Sequence, residues 1–558
     1  MIKMKQKVLN ELTWIGFSLI IGFAFSCYLL PDLVFHPTNT NILRQDPLQH
    51  FLGWEFFRQS PWQWPLTYTH RLLYPIGTTI VFTDSFPLLA ILLKLFSRLL
   101  PEPFVFQGLV AILNSSLMFY SGSLFLRKLR PDLFFNIIGG FFVLLSSVFI
   151  WRFFGHFSLT SQWLIVFELL LIMKYEAKIK SDIMYQGLLI FIATGTHPYF
   201  VAMITPLSMA FSWKLYSRQC INRLPSIALF AGFVLFALLS GWFFGWFANY
   251  SSGTNEGYSY FSNNLWALIN PLYGSILLKT LPQGPGEVEG FCYLGLGLII
   301  PLVGIFFVSL LGTANSRVSG FRPVHGRNDE VVARKEYYLL MFILGAFFLY
   351  GLGGDIQIGD AFHLRLFGIG RHSHLGMIFN IFRCSGRFIW PVFYFIQFFT
   401  LIVIYDLLHS QRKKCIIVLS LLCILQIFDN SYLITSVKKY WAENNQQASM
   451  TKMFSLNTEI WSHLREQGIK HLFLLNSIQE PELKNSFSLV ALNNHLTINS
   501  IDMPRTNEQN IQYDEQEYKK FLKGELLPHT LYVGLKEKEV YPSQYCSIEN
   551  NIYVVCHR

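Results

Sequence analysis

The chain has 558 residues, of which 52% are hydrophobic, 17% aromatic and only 14% charged. Charged residues make up about a quarter of an ordinary soluble domain, and long apolar runs recur along this chain. The composition therefore excludes a single soluble globular protein and indicates a polytopic membrane protein. The net charge of +10 predicts basic cytoplasmic loops rather than a nucleic-acid-binding surface.

Eleven apolar stretches have lengths consistent with membrane-spanning helices. If the N-terminus lies in the cytoplasm, the Lys and Arg clusters between these stretches all fall on the cytoplasmic side, which is the positive-inside pattern. The stretches cover about residues 12–31, 104–126, 133–150, 158–173, 183–196, 199–213, 224–247, 293–312, 337–353, 388–408 and 415–430.

Residues 32–103 are predicted to form one large external loop after the first helix. Within this loop, residues 85–100 are apolar but short and contain Lys94 and Arg98. They therefore predict an interfacial helix that lies on the outer surface rather than a further crossing. Two more external loops, 248–292 and 354–387, are also long.

Residues 431–558 are polar and alternate between helix and strand patterns, which predicts a small extracytoplasmic α/β domain after a transmembrane domain of residues 1–430. Helices are predicted over 456–467 and 514–524, and strands over 471–475, 530–534 and 552–555. Cys546 and Cys556 flank a hairpin turn at Asn550 and Asn551, a pattern that fits either a disulfide or two free thiols.

Ionisable residues gather near the outer ends of several predicted helices, so a functional site is expected to face outward. Asp46 and His50 are four residues apart and would share one helix face, with Trp54 one turn further on. A carboxylate beside an imidazole can take a proton from a hydroxyl group. The alternative is structural, with Asp46 as the N-cap of a loop helix and Pro47 in its first turn.

Other polar residues also allow a functional and a structural interpretation. Arg383 and Arg387, four residues apart at the outer end of the tenth stretch, fit either a phosphate-binding pair or contacts with lipid headgroups. Asp84 fits either a substrate contact or the N-cap of the interfacial helix. The remaining candidates for sugar or phosphate contacts, each with a structural role as its alternative, are Arg152, His156, His197, Glu289 and Trp54.

This arrangement resembles the GT-C class of integral-membrane glycosyltransferases. Those enzymes have a large external loop with an acidic residue after the first helix, and often a soluble C-terminal domain. Asp46 and the interfacial segment 85–100 are the matching features here. More closely, most of the chain is similar to a bacterial family of polytopic inner-membrane proteins near that class. The matching motifs are DPLQHFLGW (46–54), TDSFP (83–87), HFSL (156–159), HPY (197–199), EGFCYLG (289–295) and FRCSGRFIWP (382–391).

The resemblance implies a transferase that moves a sugar from a polyprenyl phosphate or pyrophosphate donor to a cell-envelope glycan or lipid acceptor, on the outer face of the bacterial inner membrane. It implies a cytoplasmic N-terminus and a periplasmic C-terminal domain. On this interpretation Asp46 is the base, His50 orients it or relays the proton, and Arg383, Arg387 and Arg152 hold the donor phosphate. Many GT-C enzymes have two adjacent acids in this loop, whereas Gln45 precedes Asp46 here, so participation of a divalent metal stays open.

Two other functions stay open. A transporter or flippase of a lipid-linked saccharide would need ionisable groups near the bilayer midplane and repeat symmetry. A non-catalytic envelope assembly protein would act through residues 431–558. The middle positions of the apolar stretches are mostly apolar and no matched pair of broken helices is visible, which favours the transferase.

Overall fold

The computed structural model of the protein describes residues 2–175, 178–248, 258, 260–284, 286–310, 329–359, 362–365, 381–447, 449–456, 458–503, 508–538 and 541–557. Parts of both long external loops predicted at 248–292 and 354–387 therefore lie outside the described residues.

Helices dominate the described chain, and one or more of them overlap each of the eleven apolar stretches. They are α1 (Ile2–Leu29), α2 (Gln45–Gln59), α3 (Pro87–Leu95), α4 (Gln107–Leu129), α5 (Leu133–Leu144), α6 (Ser147–Ile150), α7 (Trp163–Met173), α8 (Ile179–Thr194), α9 (Pro198–Ser217), α10 (Arg223–Phe244), α11 (Leu296–Leu310), α12 (Asp329–Gly351), α13 (Trp390–Leu408), α14 (Arg412–Asp429), α15 (Ser431–Gln446), α16 (Met450–Met453), α17 (Glu459–Ser462), α18 (Pro481–Asn493) and α19 (Glu508–Leu522).

Five of the described helices are long and apolar enough to cross a membrane: Val8–Leu29, Gln107–Leu129, Arg223–Phe244, Ser385–Leu408 and Arg412–Gln446. A sixth span results if the pair Leu133–Leu144 and Ser147–Phe154, bent by 44°, counts as one. The chain is thus a helical membrane protein, but the predicted eleven crossings are not confirmed. Helix α8, with 16 residues, is shorter than the roughly 20 residues that one crossing needs.

A five-stranded mixed sheet forms the centre of the C-terminal part, which confirms the predicted small sheet domain. Its strand order is β6-β5-β7-β9-β8; β6, β5 and β7 are parallel, and β7-β9-β8 are antiparallel. The strands are β5 (His471–Leu474), β6 (Thr497–Ile498), β7 (Thr530–Leu535), β8 (Cys546–Glu549) and β9 (Tyr553–Cys556), whereas two small hairpins elsewhere comprise β1 (Tyr68–Thr69) with β2 (Thr78–Thr79) and β3 (Asp355–Ile358) with β4 (Phe362–Arg365).

In this domain the predicted hairpin is present, whereas one predicted helix is not. Cys546 and Cys556 pair across β8 and β9 and form a disulfide. The helix predicted over 456–467 is wrong, because only Glu459–Ser462 is helical. The side chain of Asn494 accepts a hydrogen bond from the Leu464 N–H and donates one to the Trp461 carbonyl, which uses backbone groups that a longer helix would need.

Helix α2, which carries Asp46 and His50, is enclosed by other elements rather than lying on a surface. All its residues from Pro47 to Phe57 are buried. It packs against α18 of the C-terminal sheet domain, against α3, and against the 3-10 helix Ile80–Thr83. The loop predicted to be external, the helix bundle and the C-terminal domain therefore meet around α2.

Candidate active site

Eight ionisable residues from separate parts of the chain converge near the start of α2. We refer to them as the outer cluster, and its members are Asp46, His50, Asp84, Arg152, His156, His197, Glu289 and Arg387. Each of them is a candidate site residue predicted from the sequence. Their convergence depends on contacts between residues that are 98 to 137 positions apart.

These side chains lie at or near helix ends, at one end of the bundle. His197 is the N-cap of α9, Arg387 lies in the 3-10 helix Ser385–Ile389 just before α13, and Arg152 lies in the 3-10 helix Trp151–Phe154 just after α6. The basic clusters around Lys128 and Arg218 lie at the opposite helix ends. The outer cluster is therefore separated from those basic loops by the length of the helices.

Glu289 is the centre of the cationic half of the cluster. Its Oε2 atom accepts a hydrogen bond of 2.5 Å from Arg387 Nη2 and lies 3.5 Å from Arg152 Nη1, while its backbone carbonyl accepts a 2.9 Å bond from Arg152 Nη2. Burial raises the pKa of the Glu289 carboxyl, but the charges of Arg387, His156 and Arg152 hold that pKa well below its usual range. Glu289 is thus an ionised, paired carboxylate rather than a solvated loop charge.

Two facing glycines permit this pairing. A Cβ atom on Gly386 would lie 2.9 Å from the Gly290 Cα atom and 3.0 Å from the Phe261 carbonyl, so only glycine fits at this contact. The Asn263 side chain donates a 2.7 Å hydrogen bond to the Gly386 carbonyl. The segment that follows Glu289 and the segment that precedes Arg387 are consequently held in close contact.

His156 links this cationic half to Asp46. Its Nε2 atom lies 3.8 Å from Glu289 Oε1, and its Nδ1 atom lies 3.4 Å from Asp46 Oδ2. Gly155 makes the approach possible, since its φ of +153° favours glycine and an added Cβ would lie 3.1 Å from the Pro47 ring. The Asp46 side chain is 44% exposed, so its carboxylate is accessible to a substrate.

The start of α2 also rules out the structural alternative for Asp46. The helix begins at Gln45 with Arg44 as its N-cap, and the Arg44 side chain makes no capping hydrogen bond. Asp46 therefore lies inside the first turn and is not the cap. The negative charge of Asp46 is nevertheless favourable at this position, because the helix dipole is positive at the N-terminus.

Asp84 and His197 form a second carboxylate–imidazole pair. His197 Nδ1 accepts the backbone N–H of Tyr199, so the neutral ring carries its proton on Nε2, which lies 3.3 Å from Asp84 Oδ1. Burial raises the pKa of Asp84, but His197 and His50 hold it well below its usual range. Asp84 ends the 3-10 helix Ile80–Thr83, and Phe86 is the N-cap of α3; the N-cap interpretation of Asp84 is therefore wrong.

His50 is the most enclosed imidazole of the cluster. It is 1% exposed, and its Nδ1 atom has no hydrogen-bond partner. Burial lowers its pKa to about 4, against opposing effects of Asp84 and Asp46. His50 is consequently neutral at physiological pH, and the imidazole that contacts the Asp46 carboxylate is that of His156.

Two predicted site residues do not join the cluster. The Trp54 ring is fully buried and its Nε1 donates a 3.0 Å hydrogen bond to the Phe104 carbonyl, so its faces pack in the core. Arg383 is exposed, with its guanidinium 4.6 Å from the Phe261 ring. The chain bends at residues 382 and 383 before the 3-10 helix begins at Ser385, so Arg383 lies apart from Arg387 despite their spacing of four residues.

Sequence reasoning missed Tyr199, which supports both halves of the cluster. The Arg387 guanidinium lies 4.9 Å from its ring, its hydroxyl accepts a 2.7 Å hydrogen bond from the Cys384 N–H, and its own N–H bonds His197. Its position in the HPY motif, two residues after His197, is the signal that points to it. Within the described ranges, no group of three or more His, Cys, Asp or Glu side chains is arranged to hold a metal ion.

The fold and the cluster together define a helical membrane protein with a charged site at one end of its helices and a small C-terminal sheet domain beside it. Residues 19–431 match the family described as a domain of unknown function (DUF6311), and residues 460–555 match the DUF6311 C-terminal domain. The chain therefore belongs to the DUF6311 family.

Other comparisons add little to this assignment. No curated protein matches the chain. The archaeal oligosaccharyltransferase AglB from Archaeoglobus fulgidus, solved in complex with an inhibitory peptide and a dolichol-phosphate, is similar with a TM-score of 0.39 and 12% sequence identity. That similarity covers 94% of this chain and 69% of the archaeal chain.

Proposed function

We propose that this protein is a membrane glycosyltransferase that moves a sugar from a polyprenyl phosphate or pyrophosphate donor to an envelope glycan or lipid acceptor, on the outer face of the inner membrane. The observation that carries the proposal is the outer cluster, which unites an accessible carboxylate with two buried arginines. A further support is the resemblance of the loop and of Asp46 to the GT-C class.

The charged groups of the outer cluster form two parts, one with Arg152, Arg387 and Glu289 and one with Asp46. Arg152 and Arg387 share the single carboxylate of Glu289, so one positive charge of this group has no counter-charge within it. Moreover, Nε of each arginine is buried without a hydrogen-bond partner. An anionic phosphate would supply both the missing charge and the missing acceptors.

The part of the cluster with Asp46 is suited to bind the acceptor. Asp46 is exposed enough to reach a hydroxyl group, and His156 contacts it on the side that faces Glu289. In the proposed reaction the acceptor oxygen attacks the anomeric carbon of the donor sugar, while the bond between that carbon and the phosphate oxygen breaks. The phosphate leaves with the bonding electrons beside Arg152 and Arg387, and the hydroxyl proton passes to Asp46.

The test uses cells that lack the gene, complemented with wild type, Asp46→Asn or Asp406→Asn at equal membrane abundance. Asp406 pairs with Arg130 at 2.6 Å at the opposite end of the helices, which makes it a matched control. We expect Asp46→Asn to lower transfer about 10²–10⁴-fold. Mass spectrometry should then detect glycans that lack one sugar and an accumulated lipid-linked donor. Full complementation by Asp46→Asn would refute the proposal.

A transporter of lipid-linked saccharides is the second candidate, and one observation favours it. The fully buried Glu168 carboxylate lies in α7 within the bundle and accepts a 2.6 Å hydrogen bond from Gln186 of α8, while its Oε1 atom has no partner. Buried acids within a membrane often mark transport paths. If Glu168→Gln abolishes complementation and Asp46→Asn does not, the transporter replaces the transferase.

A further inference from the structure

A short segment of the external loop extends the C-terminal sheet. Strand β6 is the edge of that sheet, and Leu72 pairs with Ile498 of β6 in a parallel bridge. The Ile498 N–H donates a 2.9 Å hydrogen bond to the Arg71 carbonyl, and the Tyr74 N–H donates a 3.0 Å bond to the Ile498 carbonyl. Residues 71–74, which we call the strap, thus act as an added strand, in the manner of β-strand addition.

Side chains reinforce this added strand. Leu72 and Ile498 are both fully buried where they pair. The Tyr74 ring stacks on His471 of β5 with 4.2 Å between ring centroids, and the Asn510 side chain of α19 donates a 2.9 Å hydrogen bond to the Leu73 carbonyl. The contact therefore combines main-chain pairing with apolar burial, as a stable docking contact requires.

Arg71 joins the strap to α2. Its Nη1 atom donates a 2.8 Å hydrogen bond to the side chain of Gln59, the last residue of α2. Its Nη2 atom donates to the carbonyls of His495 and Leu496, next to β6. One guanidinium group therefore holds the end of α2 and the edge of the C-terminal sheet together.

The strap is continuous with two parts of the outer cluster. On its C-terminal side, β2 and the 3-10 helix Ile80–Thr83 lead directly to Asp84. On its other side, α2 carries Asp46 and also packs against α18 of the C-terminal domain. Burial and, after it, the charge of Asp46 raise the pKa of Asp502 in the C-terminal domain, so the domain lies within electrostatic reach of Asp46.

We propose that strand addition by the strap locks the C-terminal domain onto the outer cluster as one wall of the site, and that Arg71 is the positioning residue of this lock. Movement of the domain would then shift α2 and the segment that ends at Asp84 together. The docking is a statement about structure alone, whereas its effect on sugar transfer rests on the proposed function.

A cysteine cross-link tests the docking in the full-length protein. In Leu72→Cys/Ile498→Cys the two cysteines replace bridged residues, so we expect a disulfide after mild oxidation, detected by mass spectrometry of linked peptides. The matched control is Leu72→Cys/Leu531→Cys, because Ile498, Leu472 and Leu531 lie in one row across the sheet. The control cysteine is two strands further away, by about 10 Å. An absent cross-link, or equal yields in both variants, would overturn the docking.

The positioning role is tested by rescue. We expect Arg71→Ala to lower transfer by about tenfold to 100-fold, since small displacements of reacting groups have effects of this size, and Arg71→Lys to recover part of the loss. In Arg71→Ala carrying the Leu72→Cys/Ile498→Cys pair, oxidation should restore transfer and reduction should remove it again. Wild type under the same oxidant and reductant controls for the native Cys546–Cys556 disulfide.

The outcomes separate the two proposals. If Arg71→Ala retains full transfer, or if the oxidised variant stays impaired, Arg71 has no positioning role. The cross-link is also measured in Asp46→Asn. A cross-link that forms while Asp46→Asn retains full transfer would refute the transferase and leave the docking intact.

Discussion

The two ends of the helix bundle differ in how their charged side chains are paired. At the end with the basic clusters, three cations each have a carboxylate of their own: Arg130 pairs with Asp406 through two bonds of 2.7 and 2.6 Å, Arg218 pairs with Glu336 through bonds of 2.7 and 2.9 Å, and Lys174 pairs with Asp182 at 2.5 Å. In the outer cluster two arginines share one glutamate, and three buried nitrogen atoms have no partner.

This difference distinguishes structural from functional charge. The two partners of a matched pair satisfy each other's charge and hydrogen bonds, so they need no ligand. Buried nitrogen atoms without partners lower the free energy of unfolding, so their presence favours a role of the cluster in binding or catalysis. The predictions below test whether the two ends respond differently to equivalent substitutions.

The largest expected effect is on stability, at the matched end. Asp182→Asn removes the buried partner of Lys174, so we expect the free energy of unfolding to fall by about 3 kcal/mol. Chemical denaturation of the detergent-solubilised protein measures this change. Transfer per folded molecule should equal that of wild type; a specific loss of transfer would contradict the structural role of the matched pairs.

The second prediction concerns pH and His50. The unfolded chain takes up the proton near pH 6.5, whereas the folded protein takes it up only near pH 4, so stability is full above 6.5 and falls as the pH decreases towards 4. The loss is about 3 kcal/mol at most. His50→Asn should weaken the dependence of the free energy of unfolding on pH over this interval. His409 is exposed at the opposite end of the helices, so His409→Asn should leave that dependence unchanged. Equal pH profiles for wild type and His50→Asn would contradict the buried neutral imidazole.

The smallest expected effect comes from exchanging arginine for lysine. Arg387→Lys keeps the charge but loses the forked donors, so donor affinity should fall about tenfold. Arg218→Lys makes the same exchange in a matched pair and should leave donor affinity unchanged. Titration of each purified variant with a polyprenyl phosphate checks both; equal affinities would mean that the arginine at the outer end does not contact the donor.

Local features of the sequence were sufficient to predict the apolar helices and many residues of the outer cluster. Apolar stretches mark these helices, and polar residues just beyond their ends lie in the outer cluster, as at Arg152 and His197. The cross-chain partners were not predictable, because contacts such as Arg387 with Glu289 depend on how distant segments pack. Irregular backbone was also missed: the bend at Arg383 separates that residue from Arg387 although their spacing fits a helix.

The C-terminal domain shows the same limit. Strands β7 and β9 have clear alternating or apolar patterns and were predicted, whereas α18, which packs against α2, was not. Its sequence begins with Pro481, Glu482 and Lys484 among other polar residues, so its periodicity is weak. The strap consists of four residues whose pairing partner lies more than 400 positions away, and no local pattern encodes such a contact.

The most direct test of the unmatched outer cluster is donor binding measured by native mass spectrometry. Purified wild type, Arg387→Gln and the matched control Arg218→Gln are each incubated with a polyprenyl phosphate. We predict one bound polyprenyl phosphate on wild type and on Arg218→Gln, and a loss of at least about tenfold on Arg387→Gln. Equal binding to Arg387→Gln and wild type, or no binding to wild type, would contradict the account.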